Sequence, residues 1–324
     1  MTTFKEIRGT AVRSLSSDPF NPEIGQLWYN NSIGVLKGYQ SIGGAWASGG
    51  SLSTARRNLG GAGIQTTALG FGGHDDTSAT NVTEEYNGST WTGGGNMGTT
   101  REGPAGAGTQ TAGLGFGGYT FPLGFRNSTE EYDGSAWTGG GNLGTARDTA
   151  GAGTQTAGLA MGGDTGSVSA ATEEYDGSAW TAGGSMSTAR KQTGGAGIQT
   201  AGLVFGGKTT VVVANTEEYD GSAWTAGGNL NTGRRLFAGA GTQTAALAAG
   251  GEATSTSFVT NTEEYNGTSW TNSTPLATGR QGLAGAGTQT AGLAFGGVIT
   301  GPTLSNATEE FTGATLTTET ITTS

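Results

Sequence analysis

Short segments in which bulky and very small residues alternate recur along most of the chain. Three of them read Leu69-Gly70-Phe71, Leu114-Gly115-Phe116 and Leu159-Ala160-Met161. Because successive side chains of a β-strand point to opposite faces, each such strand has one bulky face and one nearly bare face. No segment shows the apolar period of about 3.6 residues that marks an amphipathic helix. The pattern predicts an all-β protein in which the bulky face of one sheet packs on the bare face of the next.

These segments belong to a repeat that carries a Trp, an Arg, a Gly pair, a Glu pair and an aromatic residue in fixed order. The Trp positions are Trp46, Trp91, Trp137, Trp180, Trp224 and Trp270, with Leu316 where a seventh would fall. Successive positions are 43 to 46 residues apart. An internal period of about 40 to 50 residues is typical of propellers and repeat arrays. The sequence therefore predicts six equivalent structural units.

Each repeat is predicted to form one four-stranded antiparallel sheet. Its first strand is a segment like GAGTQ, whose small side chains suit a crowded central axis, and the alternating segment follows as the second strand. Its last two strands are segments like EEYDG and SAWTAGG, and the Asn-Gly or Asp-Gly between them is typical of a type I′ hairpin turn. One such sheet cannot bury both faces, so the repeats must stack, and closing them into a ring protects the strand edges.

The extra Trp-type position leaves one end of the chain surplus. The segment around Trp46 reads AWASGG and matches SAWTAGG, whereas the segment around Leu316 lacks both the Trp and the Gly pair. We therefore predict that the Trp46 strand completes the sixth blade and joins the first repeat to the last.

The order Thr-x-Arg, an apolar strand ending in Gly-Gly, Glu-x-Tyr-Asp and then Trp resembles the kelch repeat over roughly residues 46–316. The period is shorter than the ~50 residues usual for kelch, and the Trp-Asp dipeptide of WD40 propellers is absent from the sequence. The resemblance implies a six-bladed kelch-like β-propeller. It implies no particular function, because propellers host many activities.

Residues 1–44 lie outside the repeat and are predicted to form an assembly arm, with the propeller as a second domain at 45–324. Within the arm, IGQLWYNNSIGVLKGY at 24–39 is predicted to be a β-hairpin that turns near Asn30 to Ser32. The form GQLWYN…GVLKGY…AW resembles short segments in tail-fibre and other structural proteins of tailed bacteriophages. The resemblance implies contact with other virion subunits through this arm. The alternative is a β-cap on the propeller.

Composition excludes several classes of function. The formal net charge of −10 argues against duplex nucleic acid as a partner. The absence of Cys excludes disulfides, thiolate metal sites and a Cys nucleophile. No N-terminal apolar run resembles a signal peptide and none approaches membrane-spanning length, so we expect no membrane insertion. The 65 glycines stay in phase with Trp, Arg and Glu, which argues against disorder.

The repeated charges are predicted to be structural. A catalytic site is a single asymmetric arrangement, whereas this Arg and Glu pair occur six times in equivalent places. Side-chain alternation directs one Glu of each pair toward the Arg and the other toward solvent. The predicted ion-pairing residues are Arg56, Arg101, Arg147, Arg190, Arg234 and Arg280, with Glu84, Glu130, Glu173, Glu217, Glu263 and Glu309.

The other segments that resemble known catalytic or metal-binding motifs do not match those motifs in detail. YDGSAW lacks the leading Ser and the spacing of the sialidase Asp-box. A copper site like that of galactose oxidase needs a Cys-linked Tyr and His ligands, and this chain has no Cys and only His74. Asp75 and Asp76 beside His74 leave weak cation binding open. We expect no catalytic residue, no resident metal and no cofactor.

The connecting loops differ between the two ends of the predicted ring. The GTQTA and (Asn/Asp)-Gly-Ser/Thr turns vary little and fall at one end. The loops at the other end vary in length and content and cover 74–82, 119–128, 164–171, 208–215, 252–261 and 298–307. A uniform end and a diverse end on a rigid scaffold indicate a binding surface, and the alternative is drift in unconstrained loops. Because aromatics and Arg dominate binding hot spots, the predicted binding residues are Tyr119, Phe121, Phe125, Arg126, Phe237 and Phe258.

Together these features predict a non-enzymatic structural protein of a bacteriophage virion, made in the host cytoplasm and carried on the tail or capsid. Its propeller is expected to bind a host-surface glycan or protein, or a neighbouring subunit, and we expect a homo-oligomer in the assembled particle. Two alternatives stay open. One is a glycan-active propeller enzyme of the sialidase or galactose oxidase type, and the other is an intracellular kelch adaptor, which the lack of a BTB-like partner domain disfavours.

Overall fold

A computed structural model describes residues 12–254, 257–301 and 303–321. Residues 1–11 of the predicted arm, 255, 256 and 302 of two variable loops, and 322–324 lie outside the described residues. Within the described ranges the chain forms β-strands, and no helix there is long and apolar enough to cross a membrane.

The strands are numbered in chain order. Those before the first complete repeat are β1 (Arg13–Leu15), β2 (Leu27–Asn30), β3 (Val35–Ile42) and β4 (Ala45–Ser48). The first two repeats contain β5 (Gly60–Ile64), β6 (Thr67–Phe71), β7 (Thr83–Tyr86), β8 (Trp91–Gly93), β9 (Ala105–Thr109), β10 (Ala112–Phe116), β11 (Tyr119–Thr120), β12 (Gly124–Phe125), β13 (Thr129–Tyr132) and β14 (Trp137–Gly139). The next two contain β15 (Asp148–Thr154), β16 (Ala157–Asp164), β17 (Val168–Tyr175), β18 (Trp180–Ala182), β19 (Gly194–Ile198), β20 (Ala201–Phe205), β21 (Thr216–Tyr219) and β22 (Trp224–Ala226). The last two contain β23 (Ala238–Thr242), β24 (Ala245–Ala249), β25 (Glu252–Thr254), β26 (Ser257–Phe258), β27 (Thr262–Tyr265), β28 (Trp270–Ser273), β29 (Ala284–Gly287), β30 (Ala291–Phe295), β31 (Val298–Ile299), β32 (Thr303–Leu304) and β33 (Thr308–Thr312), and β34 (Thr315–Ile321) follows.

The chain divides into two compact units, one formed by the described parts of 1–44 and 313–324 and the other by 45–312. In the smaller unit β1 pairs in parallel with β2, and β3 pairs antiparallel with both β2 and β34. The predicted arm hairpin is present as β2 and β3. The predicted second domain of 45–324 is too long, because β34 hydrogen-bonds to an arm strand and not to a blade.

The smaller unit is organised around one carboxylate beside a buried Trp. Trp28 is fully buried, and its indole nitrogen donates to Asp18 Oδ1 at 3.0 Å. The side-chain amide of Asn30 donates to the same oxygen at 2.9 Å, and Lys37 Nζ lies 2.6 Å from Asp18 Oδ2. These bonds, that of Lys37 first, lower the pKa of Asp18 to about 2. These bonds hold the segment Ser17-Asp18-Pro19 against the hairpin of β2 and β3.

The larger unit contains six four-stranded antiparallel sheets, which we call blades 1 to 6. In chain order they are β5-β6-β7-β8, β9-β10-β13-β14, β15-β16-β17-β18, β19-β20-β21-β22, β23-β24-β27-β28 and β29-β30-β33-β4. The first strand of each blade contacts the first strand of the next, and β29 contacts β5, so the innermost strands form a closed cycle. The predicted innermost position of GAGTQ is confirmed. The predicted closure is also confirmed, because β4 pairs with β33 and places Trp46 opposite Phe311.

The innermost strands approach each other so closely that there is no room for a Cβ atom. A Cβ added to Gly151 would lie 2.7 Å from the carbonyl oxygen of Gly106 in the preceding blade. A Cβ on Gly106 would lie 2.2 Å from the oxygen of Gly61, and one on Gly61 would lie 2.6 Å from that of Gly285. The full cycle is Gly61, Gly106, Gly151, Gly195, Gly239 and Gly285. This contact explains why the inner strands read Gly-Ala-Gly.

Neighbouring blades share a repeated set of side-chain contacts, illustrated by blades 2 and 3. The Trp180 ring packs against Phe116 with centroids 4.7 Å apart, and its indole nitrogen donates to Thr129 Oγ1 at 2.9 Å. The hydroxyl of Tyr175 donates to Glu131 Oε1 at 2.6 Å. Burial, with the Glu131 hydrogen bond second, raises the pKa of Tyr175 to about 12. The second Glu of this pair therefore binds the next blade, and the prediction that it faces solvent is wrong.

The turn after the inner strand adds a second link between blades. The side-chain amide of Gln155 donates to the carbonyl oxygens of Gly113 at 3.0 Å and Tyr132 at 2.7 Å in blade 2. Between blades 6 and 1 the equivalent Gln65 donates to Gly292 and Phe311. Trp91 donates to Thr308 across that same junction. The junction that closes the ring therefore has the same chemistry as the others.

The predicted type I′ turns after the Tyr strands are wrong. Tyr132 pairs with Trp137, so four residues connect the two strands. A type I′ turn needs positive φ at both central residues, but in this loop only Gly134 has it, at 92°. The carboxylate of Asp133 instead accepts hydrogen bonds from the backbone amides of Ser135 and Ala136. The Asp fixes the loop through its side chain.

We predict that Gly151→Ala destabilises the ring by about 1–3 kcal/mol, the usual cost of overpacking. The added methyl would displace the carbonyl of Gly106 in the neighbouring blade. Gly139→Ala is the matched control, because a Cβ there meets no atom within 4 Å and Ala182 occupies the corresponding position of blade 3. Thermal unfolding measures both, and equal melting temperatures for the two variants would contradict the close-contact explanation.

Candidate functional site

The two ends of the ring differ in their loops. The Gln turns and the four-residue Asp or Asn loops lie at one end, which we call the uniform end. The opposite end, which we call the variable end, carries loops of different structure. Three of them form small hairpins, β11 with β12, β25 with β26, and β31 with β32.

The repeat Arg side chains support the bases of the variable loops. Arg56 is fully buried and its Nη1 donates to the carbonyl oxygens of Gly72 at 2.7 Å and Val82 at 2.8 Å, the two ends of one variable loop. Its Nη2 lies 2.9 Å from Glu84 Oε1. All six predicted ion pairs are present, namely Arg56–Glu84, Arg101–Glu130, Arg147–Glu173, Arg190–Glu217, Arg234–Glu263 and Arg280–Glu309. Burial lowers the guanidinium pKa of Arg56, Arg101, Arg190, Arg234 and Arg280, that of Arg190 to about 10.

Four of the predicted binding residues lie together on the blade 2 loop. The rings of Tyr119 and Phe125 pack edge to face with centroids 5.2 Å apart on paired strands β11 and β12. Phe121, in the turn between those strands, is 81% exposed. Arg126 is half-buried, and its backbone amide donates to Gly118 at the base of the hairpin. The hairpin therefore presents one exposed aromatic ring and one aromatic pair.

The other two predicted binding residues do not join this group. Phe237 is only 6% exposed and packs on Phe205 with ring centroids 5.6 Å apart, inside the core between blades 4 and 5. Its assignment to the binding surface is wrong, since the apolar position after the repeat Arg faces the neighbouring blade. Phe258 is half-buried on the loop of blade 5, three blades from Phe121.

A channel runs along the ring axis between the inner strands. Its volume is about 460 Å³, and its wall consists mainly of the glycines and alanines of those strands. At the variable end the wall also includes larger side chains, namely Asn58, Glu102, Tyr119, Phe125, Asp148, Gln192 and Leu236. We call these residues the channel mouth. It combines carboxyl, amide and aromatic groups from several blades.

Asp148 has the most altered acidity at the channel mouth. Its Oδ1 accepts a hydrogen bond of 2.7 Å from the backbone amide of Asp164, whose carboxylate pairs with Lys191. Burial, opposed by that hydrogen bond, raises the pKa of Asp148 to about 7. The group therefore changes between a hydrogen-bond donor and an acceptor near neutral pH.

Sequence reasoning missed Glu102, Asp148 and Gln192 as residues of one surface. A signal was available, because these residues lie one or two positions after the repeat Arg, where no two repeats carry the same pair of residues. This signal is weaker than that of the aromatic loop residues, because aromatics and Arg dominate binding hot spots.

Asp75, beside His74, stabilises a local turn. Asp75 Oδ1 accepts hydrogen bonds from the backbone amides of Thr77 and Ser78 and from the Thr77 hydroxyl. The Thr77 hydroxyl, as the largest cause, lowers the pKa of Asp75 to about 2. No group of His, Asp and Glu side chains within the described ranges is arranged to hold a metal ion.

Comparison with known proteins supports the fold. No family model matches the sequence, and no curated protein matches it. Among solved structures, the chain is similar to YjhT, with a TM-score of 0.69 and 12% sequence identity over 82% of this chain and 99% of that one. At this identity the likeness concerns the propeller-like all-β fold alone.

We predict that Arg147→Ala lowers stability by about 3–5 kcal/mol, because it leaves the buried carboxylate of Glu173 without its cation. Lys208→Ala, at a half-buried cation outside the six pairs, is the control and should have a small effect. Chemical denaturation gives both free energies of unfolding. Equal losses for the two variants would show that the repeat pair contributes no more than an ordinary surface charge.

A second prediction concerns the pH dependence of stability. The folded state keeps the Asp148 proton between the ordinary pKa of 3.8 and about 7, whereas the unfolded chain releases it. Stability from this group is therefore present at low pH and is lost as the pH rises through that window. Asp148→Asn should exceed the wild type in melting temperature above the window and match it below.

Asp176→Asn provides a control of opposite sign. Hydrogen bonds from the backbone amide of Ala179 and from Ser178 lower the pKa of Asp176. The wild type should therefore lose its advantage over this variant as the pH falls. If both variants show the same pH trend, the raised pKa of Asp148 is wrong.

Proposed function

We propose that this protein is a non-enzymatic structural protein of a bacteriophage virion, and that the variable end of its propeller binds the host surface. One observation carries the binding role. A rigid ring whose six blade junctions repeat the same Trp and Gln hydrogen bonds presents a uniform set of turns at one end and unlike loops at the other. Positions that are free to differ on an invariant scaffold are where binding specificity is built.

The virion assignment rests on the arm. The segment 24–39 resembles tail-fibre and other structural proteins of tailed phages, and its central strands form a sheet with β34. We propose that this arm sheet attaches the propeller to other virion subunits and that copies of the chain associate in the particle. Phe20, which is 97% exposed, is the arm residue best placed for such a contact. Purified particles should contain the protein, which mass spectrometry of virions tests.

Phe121 is the side chain on which the host-binding role is most directly tested. A large exposed aromatic ring at the tip of a hairpin contributes binding energy when it is covered by a partner. We predict that Phe121→Ala reduces adsorption of particles to host cells at least several-fold, with an unchanged melting temperature because the ring makes few contacts in the fold.

Ile198→Ala is the matched control, since Ile198 is also an exposed apolar residue but lies at the uniform end and is 52% exposed. Equal adsorption by wild-type and Phe121→Ala particles would reject the variable end as the host-binding surface.

One observation favours a second candidate, a glycan-active enzyme. Asp148, with its pKa raised to about 7, lies in the channel wall together with Glu102, and an acid and a carboxylate are the groups that glycoside hydrolysis uses. If the protein is such an enzyme, it must turn over a glycan, and Asp148→Asn must abolish that activity. Turnover with that dependence would replace the proposal of a binding protein.

A further inference from the structure

Backbone hydrogen bonds link the blades at the channel mouth. The amide of Gly103 donates to the carbonyl of Asn58, and the amide of Asn58 donates to that of Gly282, both at 2.7 Å. The series continues from Gly282 to Leu236 at 2.7 Å and from Leu236 to Gln192 at 3.1 Å. All five residues have positive φ, between 50° and 64°. Each of these five blades therefore contributes one residue in the left-handed conformation to the series.

Blade 3 contributes no residue to this series of backbone hydrogen bonds. In the other repeats nine positions separate the Arg from the Gln of the turn, as in Arg101 and Gln110, but Arg147 and Gln155 are eight apart. The missing residue is the left-handed one, so β15 starts at Asp148 as a continuous strand. Within the described residues no backbone hydrogen bond joins Asp148 or Thr149 to the series. The series of backbone hydrogen bonds is therefore interrupted between Gly103 and Gln192, and we call this interruption the gap.

The opening is wider than an ordinary junction. A Cβ added to Gly282, where the series is intact, would lie 2.6 Å from Asn58 Oδ1. A Cβ added to Gly103, beside the gap, would have Asp148 Cβ as its nearest neighbour at 3.8 Å. The gap leaves the amide of Gln192 and the carbonyl of Gly103 without the partners that equivalent groups have in other blades.

The groups around the gap suit a particular kind of ligand. The carboxyls of Asp148 and Glu102 supply acceptors, and Gln192 supplies a donor through Nε2, since its Oε1 accepts from Arg235 Nη1 at 2.6 Å. Tyr119 and Phe125 supply an apolar wall. No Lys or Arg is present among the described residues that line the channel. The cations beside this wall are paired, Lys191 with Asp164 and Arg235 with Glu252, so an anionic ligand would meet the carboxyls of Asp148 and Glu102 without an uncommitted positive charge.

We propose that this gap in the channel mouth is a binding site for a neutral hexose unit of a surface glycan. Hydroxyl groups both donate and accept hydrogen bonds, so they match an unpaired amide, an unpaired carbonyl and carboxyl groups at once. The apolar face of the sugar ring packs on the aromatic pair, in a pocket with a few convergent polar groups. The proposal names the ligand class for the host-surface binding proposed above and rests on that function.

The decisive variant restores the missing residue. A glycine inserted between Asp148 and Thr149 gives blade 3 the length of the other repeats and a residue able to adopt the left-handed conformation. It should close the series and occupy the gap. The control is a glycine inserted after Gly166, at the tip of the same blade, where a Cβ on Gly166 meets no atom within 4 Å.

Saturation-transfer NMR and titration calorimetry on the full chain would use methyl glucoside, methyl galactoside and methyl N-acetylglucosaminide as probes. N-Acetylneuraminic acid represents anionic sugars, and spermidine represents cations. We expect at least one neutral glycoside to bind, the insertion at 148 to abolish binding and the control insertion to keep it. Tyr119→Ala should weaken binding at least tenfold with an unchanged melting temperature, and it decides the matter if the insertion variant does not fold.

Three results would overturn the proposal: no neutral glycoside binds, only the acid or spermidine binds, or binding is equal in the wild type and both site variants. The outcome is separable from the proposed function. Loss of adsorption in Phe121→Ala particles without any hexose binding would keep host attachment at the variable end and remove only the sugar site.

Discussion

The close approach of the six inner strands is the constraint on which the rest of the structure depends. Each strand passes a glycine against a carbonyl oxygen of its neighbour, at distances that exclude a Cβ at five of the six positions and crowd it at Gly239. Interiors pack at near-crystalline density, so such contacts permit little adjustment. The position of every blade follows from this ring of contacts, and the second strands, the Trp rings and the loops take their places from it.

Two sets of polar groups stabilise that ring, one within each blade and one between neighbouring blades. Within each blade a buried Arg–Glu pair supports the variable loop, and in four blades the Arg, namely Arg56, Arg101, Arg234 or Arg280, donates to the carbonyl oxygens at both ends of that loop. Between blades, the Tyr hydroxyl, the Trp indole and the Gln amide reach across to the preceding blade. The charges that look like chemistry in the sequence therefore hold the loops, and this support is what allows the loops themselves to differ.

The sequence predicted the features that the repeat imposes, because sixfold recurrence separates structure from chance. The six blades, the Trp46 closure and the Arg–Glu pairs all follow from that recurrence. The features it missed depend on one neighbour in space. Phe237 is buried by Phe205 of the preceding blade, Glu131 is bound by Tyr175 of the next, and Asp148 is exceptional through the loss of a single residue. A repeat pattern describes what the copies share, so it is silent about how one copy departs from it.

The pairing of β4 with β33 has a consequence for how the chain reaches this state. The closing strand leaves the ribosome before the first complete repeat, and its partner leaves only with the sixth. During synthesis the strand edge beside Trp46 stays open until the sixth repeat has been made. Contacts between such distant parts of a chain form slowly, and unpaired edges in incomplete chains invite aggregation. Ring closure thus acts as a completeness check, since only a chain synthesised through its sixth repeat can acquire the native junction.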